Sequence, residues 1–260
     1  MTGTIEAGSG STVRTFLVDD PQAFARTAFI EALARAGVTV DAEATGDNPT
    51  DKLPRSRRYR AGTQLGEWVS PRFSEYVRVV MKVSYNRGAD LLACLVGARV
   101  GIRDCEAGLG RATEIVQGFG VPGTQFDNFD GAGSDDRNKH VPDALNLLNM
   151  SVTTQPWATV YRDALPQLGV PGGGDIASFG TSSPARGKLQ AKTGTRAGGA
   201  PGAPAGLLLA RGLSGYLIGA SGRQYLITVI VNNVPFRAFD ELFGAIEDQV
   251  KIVEAVYAGT

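Results

Sequence analysis

Histidine is almost absent from this sequence: one residue, His140, in 260. A Ser-His-Asp triad would have to use it. It lies in Arg137-Asn138-Lys139-His140, a polar loop-to-helix junction that reads as surface. Cysteine is nearly as scarce. Cys94 and Cys105 form no CxxC and cannot make a zinc site alone, so no metal site is expected. They read as two small buried side chains or as a local disulfide closing the turn between two helices, and the second needs an oxidising compartment. Net charge is also missing. Lys+Arg and Asp+Glu are both 26, which gives no electrostatic ground for nucleic acid or an anionic membrane as partner. No uninterrupted apolar run is long enough to span a bilayer. Met1-Thr2-Gly3-Thr4-Ile5-Glu6 has no basic start and no apolar core, so the chain as written is expected to be cytoplasmic. Nothing in the sequence implies a cofactor.

What is present is an ordinary globular composition, 43% apolar and 20% charged, with Gly high at 34. Residues 12–18 read as a strand. Asp20-Pro21 then supplies an N-cap and a first-turn proline for an Ala-rich helix through Phe24, Ile30 and Leu33 that Gly37 can end. Val38-Thr39-Val40 predicts a short strand, and residues 44–58 a polar linker. Ser70-Pro71 marks a second helix start, with Tyr76, Val79, Val80 and Val83 at helical spacing. Helices are expected over 87–99 and 107–119, then a Gly/Asp-rich loop over 120–139, then helices opened by Pro142 and Pro156. The last third turns to strands: 188–192, 213–219 and 225–231, the latter two joined by Ala220-Ser221-Gly222-Arg223. A low-complexity Gly/Ala/Pro loop fills 196–206. An amphipathic helix through Phe239, Leu242, Phe243, Ile246, Val250 and Val253 closes the chain. The order predicts an α+β fold, an antiparallel sheet with helices.

Three short stretches carry candidate chemistry. Lys192-Thr193-Gly194-Thr195 follows a strand. At a sheet edge the lysine offers a cation to a carboxylate, Thr193 a hydroxyl, and Gly194 room for a substrate backbone; the plainer reading is a strand end turning into a loop. Ser84-Tyr85-Asn86 lies between two helical runs. It is either a cap or a serine that relays a proton beside an amide that holds substrate or a lysine. Asp127-Asn128-Phe129-Asp130-Gly131-Ala132-Gly133-Ser134 spaces acidic oxygens and glycines like a calcium loop. It lacks the closing bidentate Glu, so a structural turn is the better reading.

In this order and at these separations the three stretches resemble the class C low-molecular-mass penicillin-binding proteins, the D-alanyl-D-alanine carboxypeptidases of the penicillin-binding protein 4 (DacB-like) group. That group carries S-x-x-K, then S-x-N, then K-T-G. Ser84-Tyr85-Asn86 matches the second motif and Lys192-Thr193-Gly194 the third. The segment from Asp130 to Asn138 resembles the group's D-G-S-G-L-S-R-x-N phrase. Gly215-Tyr216, Gly222-Arg223 and Val231-Asn232-Asn233 resemble its closing hairpin. Thr12 to Gly37 resembles the stretch that returns from its inserted domains. The resemblance implies a β-lactamase/transpeptidase-like fold, with residues 1–55 a remnant of the inserted region plus linker and residues 56–260 the transpeptidase-like domain. It implies an extracytoplasmic family that hydrolyses peptidoglycan stem peptides through an acyl-enzyme. Ser84 and Asn86 would assist proton transfer, Lys192 and Thr193 would bind the substrate carboxylate, and the N–H near Thr195 would help the oxyanion. Asp130, Gly131 and Gly133 would form a secondary loop.

The first motif has no counterpart. None of the serines in these 260 residues has lysine three positions on. Relative to the family, the fold is expected to be incomplete, without the usual nucleophile. Three functions follow: the C-terminal part of a D-Ala-D-Ala carboxypeptidase, a short-chain carboxylesterase using Ser84 and Lys192 directly, or a non-catalytic relic. Apolar surface left by an absent segment would favour a homodimer, which a clean monomer in light scattering at high concentration would exclude.

Overall fold

The computed structural model describes residues 8, 18–49, 51, 53–54, 60–198, 206–238 and 241–260. All of the expected strand at 12–18 but Val18, much of the linker, most of the low-complexity loop and Phe239 lie outside them. The chain divides into two compact units, Met1–Trp68 and Val69–Thr260. In the first, helix α1 runs over Pro21–Arg35. Asp20 accepts hydrogen bonds from the N–H groups of Gln22 and Ala23, and Pro21 opens the helix, as the sequence predicts. Val38-Thr39-Val40 is irregular rather than a strand. Among the described residues it finds no ladder partner, and three β-branched residues cannot hold a strand alone.

The second unit begins with helices α2 (Phe73–Val83), α3 (Asn86–Arg99) and α4 (Cys105–Gly118). Helix α2 starts at Phe73, beyond the expected Ser70-Pro71, on a first turn with no side-chain cap. Helices α3 and α4 approach so closely that a Cβ at Gly108 would stand 2.4 Å from the Ala93 carbonyl oxygen. Cys94 and Cys105 are joined by a disulfide, so the reading of two free buried thiols is corrected. A two-residue ladder, β1 (Phe126–Asp127) and β2 (Lys139–His140), interrupts the expected loop. Helices α5 (Pro142–Val152) and α6 (Ala158–Ala164) follow.

The sheet is antiparallel, in the order β3 (Leu189–Gly198), β4 (Gly206–Ile218), β5 (Gln224–Phe236), and helix α7 (Glu241–Ala258) packs on it. β3 runs well past the expected 188–192 because Arg196, Ala197 and Gly198 stay paired with β4 across a register shift. Leu189, Ala191, Leu213, Leu217 and Ile227 join Leu168, Ile176, Ala185 and Val253 in the main core. Helix α5 is tied to the sheet by polar groups as well as apolar ones. Asn149 Nδ2 donates to Ser214 Oγ at 2.9 Å, and Tyr216 Oη donates to the Asn149 carbonyl at 2.6 Å. Asn149 is thus buried with its hydrogen bonds made. Among the described residues no helix is long and apolar enough to cross a membrane, and no group of three or more His, Cys, Asp or Glu could hold a metal ion.

Candidate active site

Helix α2 stops at Ser84, which takes a left-handed conformation (φ 55, ψ 52). A β-carbon residue held at positive φ is uncommon and is found disproportionately where a side chain must be aimed. Tyr85 holds the N-cap position of α3 without a side-chain cap bond, so Ser84 and Tyr85 form a two-residue corner between helices and Asn86 opens the second. On the sheet side, the early half of β3 is bordered by residues 166–168: Ala191 N–H donates to the Pro166 carbonyl and Leu168 N–H to the Leu189 carbonyl. From Lys192 onward β3 is paired only with β4 among the described residues, which leaves an open strand edge.

The corner and the edge meet. Lys192 Nζ donates to Ser84 Oγ at 2.9 Å across 108 residues of sequence. It also donates to Asp175 Oδ2 at 2.9 Å and to the Thr193 carbonyl at 2.7 Å. These three acceptors account for the three N–H bonds of an ammonium group. Thr193, itself buried, donates its hydroxyl to Asp175 Oδ2 at 2.6 Å. Thr195 accepts from Arg211, its partner on β4. Arg211 is 6% exposed and is also held by Gln249 Oε1 at 3.2 Å. Burial is the main force on its guanidinium, lowering its pKa, while Asp175 acts in the opposite direction.

The third stretch arrives by way of α3. Gly131 N–H donates to Asp90 Oδ1 at 3.1 Å, and a Cβ on Gly131 would fall 2.7 Å from the Ala89 carbonyl oxygen. Only glycine lets the loop lie this flat on the helix. Asp130 organises the turn by accepting from the N–H groups of Gly133, Ser134 and Asp135 and from the Asn138 amide. Partial burial acts to raise the Asp130 carboxyl, but those hydrogen bonds outweigh it and hold it below its ordinary range. The turn sets Ser134 Oγ 3.5 Å from Asn86 Nδ2, and Arg196 Nε on β3 reaches Asp136 Oδ1 at 2.8 Å. Asn86 therefore faces a hydroxyl here rather than a lysine.

All three stretches singled out in the sequence converge on one place. Gly194 is exposed on the strand edge. His140 is corrected: it is half-buried, stacked on Phe126 at 4.5 Å, and within 2.7 Å of Asn128 Oδ1. Burial lowers its pKa, and Asp127 only partly offsets this. Two residues of the site escaped the sequence reading. Arg211 is a charge set inside an apolar strand run, a signal that was there to use. Asp175 had only the preceding Gly172-Gly173-Gly174 to mark it.

An antiparallel sheet flanked by helices, with S-x-N on a helix corner facing K-T-G on a strand, defines the β-lactamase/transpeptidase-like class. Penicillin-binding protein 4 (dacB) from Haemophilus influenzae, in a complex with a β-lactam, shares this fold with TM-score 0.54 and 19% identity over 69% of this chain and 41% of that one. A class A β-lactamase from Bacteroides cellulosilyticus does so with TM-score 0.50 and 17% identity over 90% and 80%. Within that class, residues 1–252 match the D-Ala-D-Ala carboxypeptidase 3 (S13) family, and the chain belongs to it. It is 29% identical over 269 residues to a D-alanyl-D-alanine carboxypeptidase of Actinomadura sp. (strain R39), in an alignment that takes in 100% of this chain and 45% of that protein. The chain thus spans less than half the length of the carboxypeptidase it matches.

Proposed function

We propose that these residues form the S-x-N and K-T-G walls of a D-Ala-D-Ala carboxypeptidase site that acts on peptidoglycan stem peptides. The observation that carries the reading is the 2.9 Å hydrogen bond from Lys192 Nζ to Ser84 Oγ. Ser84 accepts a proton-bearing bond from the cation, so its own O–H is free to donate. A proton leaving Lys192 for Ser84 can thus be matched by one leaving Ser84 for the departing amine. Lys192 and Arg211 supply positive charge and Thr193 a hydroxyl for the substrate's terminal carboxylate. The open edge of β3 beyond Lys192 suits an extended peptide, with Gly194 and Thr195 alongside its backbone. Asn86 and the turn around Asp130, Gly131 and Gly133 close the opposite side.

A second reading makes Ser84 itself the nucleophile toward small esters. The left-handed, lysine-bonded Ser84 favours it, but Lys192 turns three donors outward and offers Ser84 no lone pair. We therefore rank it below the first. The Cys94–Cys105 disulfide supports a location outside the reducing cytoplasm. Exposed Val79, Val83, Leu91 and Leu95, in i,i+4 pairs on α2 and α3, support self-association.

The test is hydrolysis of an N-acyl-D-Ala-D-Ala peptide, with fluorescent penicillin labelling, by a chain that also carries the family's S-x-x-K segment and by its Ser84→Ala and Lys192→Ala variants. Each variant is expected to lower kcat/KM about 10²–10³-fold. Unchanged kcat/KM in Lys192→Ala would sink the proposal. A penicilloyl adduct mapped by mass spectrometry to Ser84 would establish the second reading instead.

A further inference from the structure

The anion site proposed above already holds a carboxylate. Asp175 Oδ2 takes both the Lys192 ammonium and the Thr193 hydroxyl, the two groups best placed to hold a ligand's carboxylate. The contact is built into the fold. Asp175 N–H donates to the Lys82 carbonyl at 3.0 Å, on the last turn of α2 and two residues before Ser84. Gly174, at φ 93, lies so near that a Cβ there would come within 2.6 Å of the same carbonyl oxygen. The Gly172–Asp175 segment is thus seated against one wall of the site while its terminal carboxylate reaches the other.

The fit is one-sided. Asp175 Oδ1 is buried and has no hydrogen-bond partner among the described residues. A buried carboxylate oxygen without a donor is costly, so the arrangement gains through Oδ2 and loses through Oδ1. A purely structural ion pair would be expected to satisfy both oxygens. An arrangement that must give way to an incoming carboxylate does not need to.

We infer that Asp175 is a resident competitor for the carboxylate site, a specificity-determining residue that a ligand's terminal carboxylate must displace from Lys192 and Thr193. This rests on the reading of Lys192 and Thr193 as the carboxylate site. Ligands bearing a free carboxylate bear the cost of that displacement; neutral ligands do not. A site masked for nine-tenths of the time shows about a tenfold weaker apparent affinity.

The experiment is calorimetric titration of N-acetyl-D-alanyl-D-alanine and of its C-terminal amide into the wild type, Asp175→Asn and Lys192→Ala. Asp175→Ser stands in should the Asn variant fail to fold, as judged by its melting curve. In Asp175→Asn the carboxylate ligand is expected to bind at least about tenfold tighter than in the wild type, with the amide changed less than about twofold. Lys192→Ala is expected to erase any preference for carboxylate over amide. Suppose the carboxylate ligand binds Asp175→Asn no better than wild type while Lys192→Ala still erases the preference. Then the anion site stands and the competitor role is overturned. If Lys192→Ala leaves the preference intact, or no variant binds either ligand, the anion-site reading falls and this inference with it.

Discussion

The strand carrying Lys192 and Thr193 rests on Leu189, Ala191, Leu213, Leu217 and Val253, all at or below 4% exposure. The corner carrying Ser84 and Asn86 has no such floor. Val80 and Ala93 are the buried apolar side chains of α2 and α3 among the described residues, while Val79, Val83, Leu91 and Leu95 stay exposed. That corner is held by discrete ties: the Cys94–Cys105 disulfide, the Lys82–Leu165 and Asp175–Lys82 hydrogen bonds, and the Lys192–Ser84 bond itself. Burial on Lys82 lowers its pKa, with Arg78 acting in the same direction, so even that tie is made at some cost. One wall of the site is set by packing and the other by a few polar and covalent links. Packing is collective and insensitive to any one polar group, whereas each link can be cut singly.

The largest expected effect lies on the packed wall. Leu217→Ala should cost about 2–5 kcal/mol in chemical denaturation, since a wholly buried leucine leaves a cavity. Val83→Ala, on an exposed position of α2, should stay within about 0.5 kcal/mol. Equal costs for the two would erase the comparison. Next comes the linked wall. Replacing Cys94 and Cys105 by serine opens a link of sequence separation 11 and should cost about 2–3 kcal/mol. Hydrogen exchange should speed up in α3 and α4 before it does in β4, and uniform acceleration would show that the two walls unfold together.

The smallest effect is a pH dependence confined to the loop side. His140 has its pKa lowered by burial, so the unfolded chain binds its proton more readily than the folded one. Its contribution is fully present above pH 6.5, the ordinary value, and is lost as pH falls from there toward the lowered folded value. Thermal melts of the wild type should therefore lose stability below pH 6.5, and His140→Gln should flatten that part of the profile. An identical slope in the variant would remove His140 as the cause. Asp130 acts in the same direction at lower pH. Its carboxyl is held down in the folded state, so its contribution is lost only below the ordinary value of 3.8.

Much of this molecule was legible in the sequence because its signals are local. Asp20-Pro21 capped a helix, Pro142 opened another, and the β-rich runs Leu213 to Gly219 and Tyr225 to Val231 marked β4 and β5. Asp130 and its glycines read correctly as a turn, since an Asx side chain and its neighbouring N–H groups satisfy one another within a few residues. The S-x-N and K-T-G stretches, and through them the S13 family, were also visible as short strings. Val38-Thr39-Val40 failed because strand propensity needs a partner that a short run cannot specify.

What only the tertiary structure decided were pairings over long separations. Spacing along the chain does not say that Lys192 meets Ser84, that Cys94 and Cys105 bond, or that His140 turns inward onto Phe126. Asp175 is the sharpest case. In the sequence it is one acidic residue after three glycines, and it becomes the group holding Lys192 and Thr193 only when residues 172–175 fold back against the end of α2. The sequence by itself determined which chemical groups exist and which local elements carry them, because hydrogen bonding and patterning act within a few residues. Which of those groups touch was left to packing, because a contact between distant residues is set by the summed burial of the elements that carry them.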